Sequence, residues 1–78
     1  MAGITIEQLK ETLLNRAILQ ENKTLKCRDF LIDKGKNPKE NRLFNLYIGE
    51  LMGMLHLFDE IGMNEKSTRF DWVWDYGI

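Results

Sequence analysis

The sequence predicts an all-α chain: an antiparallel helical hairpin that dimerises into a four-helix bundle and carries an aromatic C-terminal segment. Three observations point to it. No glycine or proline interrupts the chain from Ile6 to Lys34. Gly35-Lys36-Asn37-Pro38 then punctuates it sharply, the combination that ends one helix and opens the next. The run after Pro38 is apolar around most of its circumference when wound as a helix, so a single neighbouring helix cannot cover it. With 78 residues the chain makes one domain, 1–78, whose own core is small.

The first helix is expected over 6–34. Thr5-Ile6-Glu7-Gln8 reads as a capping box: the Thr5 hydroxyl accepts from the Gln8 amide, and the Gln8 side chain reaches back to the Thr5 amide. At about 100° per residue, Ile6, Leu9, Leu13, Leu14, Ala17, Ile18, Leu25, Cys27, Leu31 and Ile32 share one broad face, while Leu19 and Phe30 fall off it. Gln20, Glu21 and Thr24 lie inside that stripe and form a polar waist. Either the helix runs continuously through the waist or it kinks near Asn22; without a breaker residue, continuity is favoured.

Residues 35–37 make the turn. The second helix is expected over 38–61, with Asn37 as its cap, Pro38 at its first position, Glu40 completing a capping box and Gly62 closing it. So short a connection sets the two helices antiparallel. Leu43, Phe44, Tyr47, Ile48, Leu51, Met52, Met54, Leu55, Phe58 and Ile61 cover about half of this helix. Leu46 and Leu57 flank Gly49 and Gly53 on the remainder. Each glycine costs a helix interior about 1 kcal/mol relative to alanine, which close packing against another helix offsets. Leu46, Gly49, Gly53 and Leu57 are therefore the expected homodimer interface.

A polar connector, 63–68, leads into the aromatic segment 69–76. Phe70, Trp72, Trp74 and Tyr76 alternate with Arg69, Asp71, Val73 and Asp75, the period of a strand with one aromatic face. Thr68 with Asp71 offers the alternative, a capped short helix. Trp, Tyr and Arg dominate interface hot spots, so Arg69, Phe70, Asp71, Trp72, Trp74, Asp75 and Tyr76 are the candidate partner-binding residues. The bland alternative is that the rings cover the hairpin's apolar flank and supply core that two helices lack.

Eleven basic residues against twelve acidic ones give a net charge of −1, which excludes bulk attraction to nucleic acid or an anionic membrane as the main activity. Charge is unevenly placed, with a net +4 over 22–42 and −4 over 43–78. The basic turn region, with Lys34, Lys36, Lys39 and Arg42, is a modest footprint for a phosphate, and no recognition-helix motif follows it. No signal-peptide pattern and no 18-residue apolar stretch is present, so a cytoplasmic location is expected.

Catalytic signatures are nearly absent. One cysteine, Cys27, and one histidine, His56, exclude a disulfide framework and the usual four-ligand zinc site. Hairpin geometry holds the two roughly 15 Å apart. No carboxylate pair has metal-ligand spacing with a histidine, so neither a metal nor a cofactor is expected. The waist either fixes the packing register or lines a small-ligand pocket formed by Arg16, Gln20, Glu21, Thr24 and Tyr47. These residues together predict a non-enzymatic interaction module, an adaptor or small inhibitor of a larger protein. A small-ligand or nucleotide binder is the second expectation, and nucleic-acid contact through the basic turn is the third.

Overall fold

The computed structural model describes residues 3, 5–63 and 68–76. Every regular element among them is helical: α1 (Ile6–Asp33), a 3-10 turn (Pro38–Glu40), α2 (Arg42–Glu60) and a C-terminal 3-10 helix (Thr68–Asp75). The polar connector expected over 63–68 lies largely outside the described residues.

α1 begins at the capping box, with Thr5 Oγ1 accepting from the Gln8 amide at 3.1 Å and Gln8 Oε1 accepting from the Thr5 amide at 3.0 Å. It runs unbroken through Asn22. Its end is a Schellman motif. Gly35, at φ +73°, turns the chain so that the Lys36 amide donates to the Leu31 carbonyl at 2.8 Å and the Gly35 amide to Ile32 at 2.9 Å. That conformation is open to glycine and strained for other residues. Gly62, at φ +78°, repeats the device after α2, with the Met63 amide on the Phe58 carbonyl at 2.7 Å.

The second helix starts later than expected. Pro38 to Glu40 form a separate 3-10 turn, and Asn37 Oδ1 accepts from the Lys39 amide at 3.1 Å, so Glu40 closes no capping box with it. Asn41 is extended, and its own Oδ1 accepts from Phe44 N at 2.9 Å, which caps α2 at Arg42. Two asparagines each offered a cap, and the one next to the apolar run starts the long helix.

α1 and α2 pack on each other as a hairpin, and the C-terminal 3-10 helix packs on α2. The core is Ala17, Leu31, Phe44, Ile48, Leu51, Leu55, Phe58, Met63, Phe70 and Val73. The predicted face of α1 is only partly used: Ile6, Leu9 and Ile32 are exposed. At 1.5 Å per residue, α1 is about 42 Å long against about 28 Å for α2, so the first turns of α1 overhang. Of the two readings open for 69–76, strand or short helix, the segment takes the helical one: it is a 3-10 helix, whose period of three decides which side chains face inward.

Candidate functional site

Gln20, Glu21 and Thr24 are buried as the winding of α1 requires, and burial poses a problem for each. A buried hydroxyl, amide or carboxylate is costly unless bonded. The Thr24 hydroxyl solves it locally, donating to the Gln20 carbonyl one turn back at 2.7 Å. Glu21 has no such option and is answered from the far end of the chain. Arg69 Nη2 donates to Glu21 Oε1 at 2.8 Å, and Trp72 Nε1 donates to Glu21 Oε2 at 2.9 Å. Each carboxylate oxygen thus has its own donor. The Gln20 Nε2 atom is buried with no hydrogen-bond partner among the described residues.

The 3-10 helix makes this possible. At three residues per turn, Arg69, Trp72 and Asp75 line up on one edge, Phe70, Val73 and Tyr76 on a second, and Asp71 and Trp74 on a third. The first edge supplies both donors to Glu21. The second is the core edge: Phe70 and Val73 are each 0% exposed. Phe70 meets Phe58 edge-on at 6.2 Å between ring centroids, and Tyr76 meets Phe44 at 5.1 Å. Burying an aromatic side chain fully is worth roughly 1.5–3 kcal/mol, so this edge supplies much of what a two-helix core lacks. Arg28 also lies over the Trp72 ring, at 5.8 Å, and Tyr76 sits at its edge, at 6.1 Å.

The seven candidate partner-binding residues therefore divide. Phe70, Trp72 and Tyr76 are turned into the molecule, and Arg69 is tied to Glu21 while half-exposed. Asp71, Trp74 and Asp75 face outward. Trp74 remains 45% exposed, its ring edge-on to His56 at 5.8 Å.

No known protein family, characterised protein or solved structure matches the chain.

The other candidate residues fall elsewhere. Leu46 and Leu57 are 59% and 39% exposed on α2, and a Cβ built at Gly49 or Gly53 meets nothing within 4 Å. Among the described residues, no neighbour within the chain packs on that face. Of the five proposed pocket residues, Arg16 is exposed and Tyr47 is half-buried under the Lys23 ammonium, 5.5 Å from its ring. Glu21 and Thr24 have their bonds inside the fold, and Glu21 is the waist residue that anchors the C-terminal helix. An open hollow of about 580 Å³ lies beside the first turns of α1 instead, lined in part by Leu14, Asn15 and Met63. Cys27 is a half-buried free thiol, and His56 is engaged with Trp74. Among the described residues no group of His, Cys, Asp and Glu is placed to hold a metal ion, and no helix is long and apolar enough to cross a membrane. Lys34, Lys36, Lys39 and Arg42 are all exposed at the turn.

The waist and the aromatic segment, separate features in the sequence, are partners in the fold. The signal was available: a carboxylate inside an apolar stripe demands a cation and donors from elsewhere, and Arg69 and Trp72 stand three residues apart.

Proposed function

We propose that this chain acts without catalysis, by binding another protein, as a small adaptor or inhibitor built on a homodimeric hairpin. The observation that carries the reading is Trp74. Every other ring of the C-terminal helix is turned inward, yet Trp74 stays on the surface of an ordered segment between Asp71 and Asp75. A large amphipathic ring held in place by a packed helix is the kind of anchor that dominates protein interfaces, because little side-chain freedom remains to be lost on binding. The recognition edge is thus narrower than the aromatic segment: Asp71, Trp74 and Asp75, with His56 beside them.

Dimerisation through Leu46, Gly49, Gly53 and Leu57 would bury the apolar face left open on α2 and complete a four-helix bundle. Exposed apolar patches of this kind mark interaction sites on soluble proteins.

The test is affinity capture from the native host with tagged wild type and Trp74→Ala, checked for equal helix content by circular dichroism. The expected result is a stoichiometric protein that accompanies wild type and is lost with Trp74→Ala. A partner retained equally by both proteins rules out the Trp74 edge. A native mass spectrum showing the chain with an added few hundred daltons and no protein would replace this reading with small-ligand binding.

A further inference from the structure

We infer that α2 pairs with α2 of a second copy in one antiparallel register, with the two-fold axis between Leu51 and Met52 and an Arg42–Glu60 ion pair at each end. The inference rests on the proposed dimer and specifies its geometry.

Wound at about 100° per residue, Arg42, Leu43, Leu46, Glu50, Gly53, Leu57 and Glu60 fall within a band roughly 100° wide on α2. All seven are exposed, with Leu43 at 49%. The band therefore has three leucines along it, a carboxylate near its middle, a cation at its start and a carboxylate at its end. It is about 27 Å long.

Those charges select the partner and its direction. A parallel copy sets Arg42 on Arg42, Glu50 on Glu50 and Glu60 on Glu60, three like-charge contacts. An antiparallel copy centred on Glu50 again opposes the two Glu50 side chains. Centred between Leu51 and Met52, the antiparallel copy lays Leu46 on the partner's Leu57 and brings Arg42 beside the partner's Glu60. Glu50 then faces the partner's Gly53, where nothing lies within 4 Å of the Cβ position, so its stem has room to turn away from the partner's Glu50, about 4.5 Å further along the axis. Two-fold symmetry makes every contact twice. Neither Arg42 nor Glu60 has a salt bridge within the chain among the described residues, so both are available to a partner. The leucines supply the affinity, and the end charges set the register.

The test is sedimentation equilibrium at low salt on the full chain: wild type, Arg42→Glu, Glu60→Arg, the double swap and Leu46→Glu, each with a circular dichroism spectrum. Wild type is expected to dimerise, and Leu46→Glu to be a helical monomer. An exposed ion pair is worth up to about fivefold in affinity, and here two are lost and replaced by repulsion, so each single swap should raise the dissociation constant about tenfold. The double swap should return it to within about threefold of wild type. A wild-type dimer unmoved by either single swap, or one that the double swap does not rescue, overturns the register while leaving dimerisation standing. A wild type that is monomeric throughout overturns both.

Discussion

Replacing Glu21 by glutamine should uncouple the C-terminal helix from the hairpin, and the structure sets the size of the effect. Glu21 is 4% exposed and accepts two short bonds, from Arg69 and Trp72. Glutamine keeps the shape and one carbonyl oxygen, but it turns an amide N–H₂ toward one of the two donors and removes the charge. A hydrogen bond to a charged group contributes about 1.5–3 kcal/mol. The Arg69 side chain is 51% exposed, so water screens its share to about 1 kcal/mol or less. The expected loss is about 2 kcal/mol, close to thirtyfold in the folding equilibrium. A chain of this length has a total stability of roughly 4–12 kcal/mol. Urea denaturation followed by circular dichroism measures the loss. Tryptophan emission reports the docking itself, because both tryptophans, Trp72 and Trp74, lie on the C-terminal helix. Trp72→Phe removes one donor and keeps a ring, so a double-mutant cycle with Glu21→Gln should give a coupling of about 1 kcal/mol. A midpoint within error of wild type, or a cycle with no coupling, would refute the idea that Glu21 anchors the segment.

Gln20→Met should raise the melting temperature, by about 1 kcal/mol of stability, because it replaces the buried amide nitrogen that finds no partner with a side chain of similar length; a lower melting temperature would mean that Nε2 is satisfied. Gly35→Ala should cost about 1 kcal/mol at its positive φ, whereas Gly49→Ala, made in the Leu46→Glu monomer so that the space around its Cβ stays open, should gain up to about 1 kcal/mol. Thermal melts of the two side by side give opposite signs if these conformations are correct. Phe70→Ala should cost about 3–5 kcal/mol through the cavity beside Phe58 and should shift tryptophan emission toward that of the unfolded chain under native conditions.

The local grammar of this chain is easy to read and its long-range pairing is not. The Thr5–Gln8 capping box and the glycine stops at Gly35 and Gly62 are each written within a span of about five residues, and the burial of Gln20, Glu21 and Thr24 follows from winding alone. The second helix start misled because Pro38 and Asn41 give two legitimate openings three residues apart. The C-terminal segment stays open between strand and helix in the sequence for an arithmetic reason. Phe70 and Tyr76 are six apart, a multiple of both two and three, so they share a face in a strand and in a 3-10 helix alike. Only Val73 and Trp74 discriminate: a strand buries Trp74 with the other rings, and the 3-10 helix buries Val73 and leaves Trp74 outside. Hydrophobicity argued for Trp74, while the hairpin groove selected the smaller side chain. The Glu21 contacts span 48 and 51 residues, and no local pattern carries that information.

The same separation orders events during synthesis. A ribosome lays down α1, with Glu21 in it, some fifty residues before the donors that neutralise it, about 2.5–10 s at ordinary elongation rates. Through that interval the carboxylate can keep its water, and Phe44 and Phe58 lack the rings that will cover them. The helices can form and pair by contacts close in sequence, but the core closes only when Phe70 to Tyr76 emerge. The hairpin core is therefore expected to close with the 3-10 helix, and a chain truncated before Arg69 should be helical, loosely packed and open along the groove that Phe70 and Val73 fill.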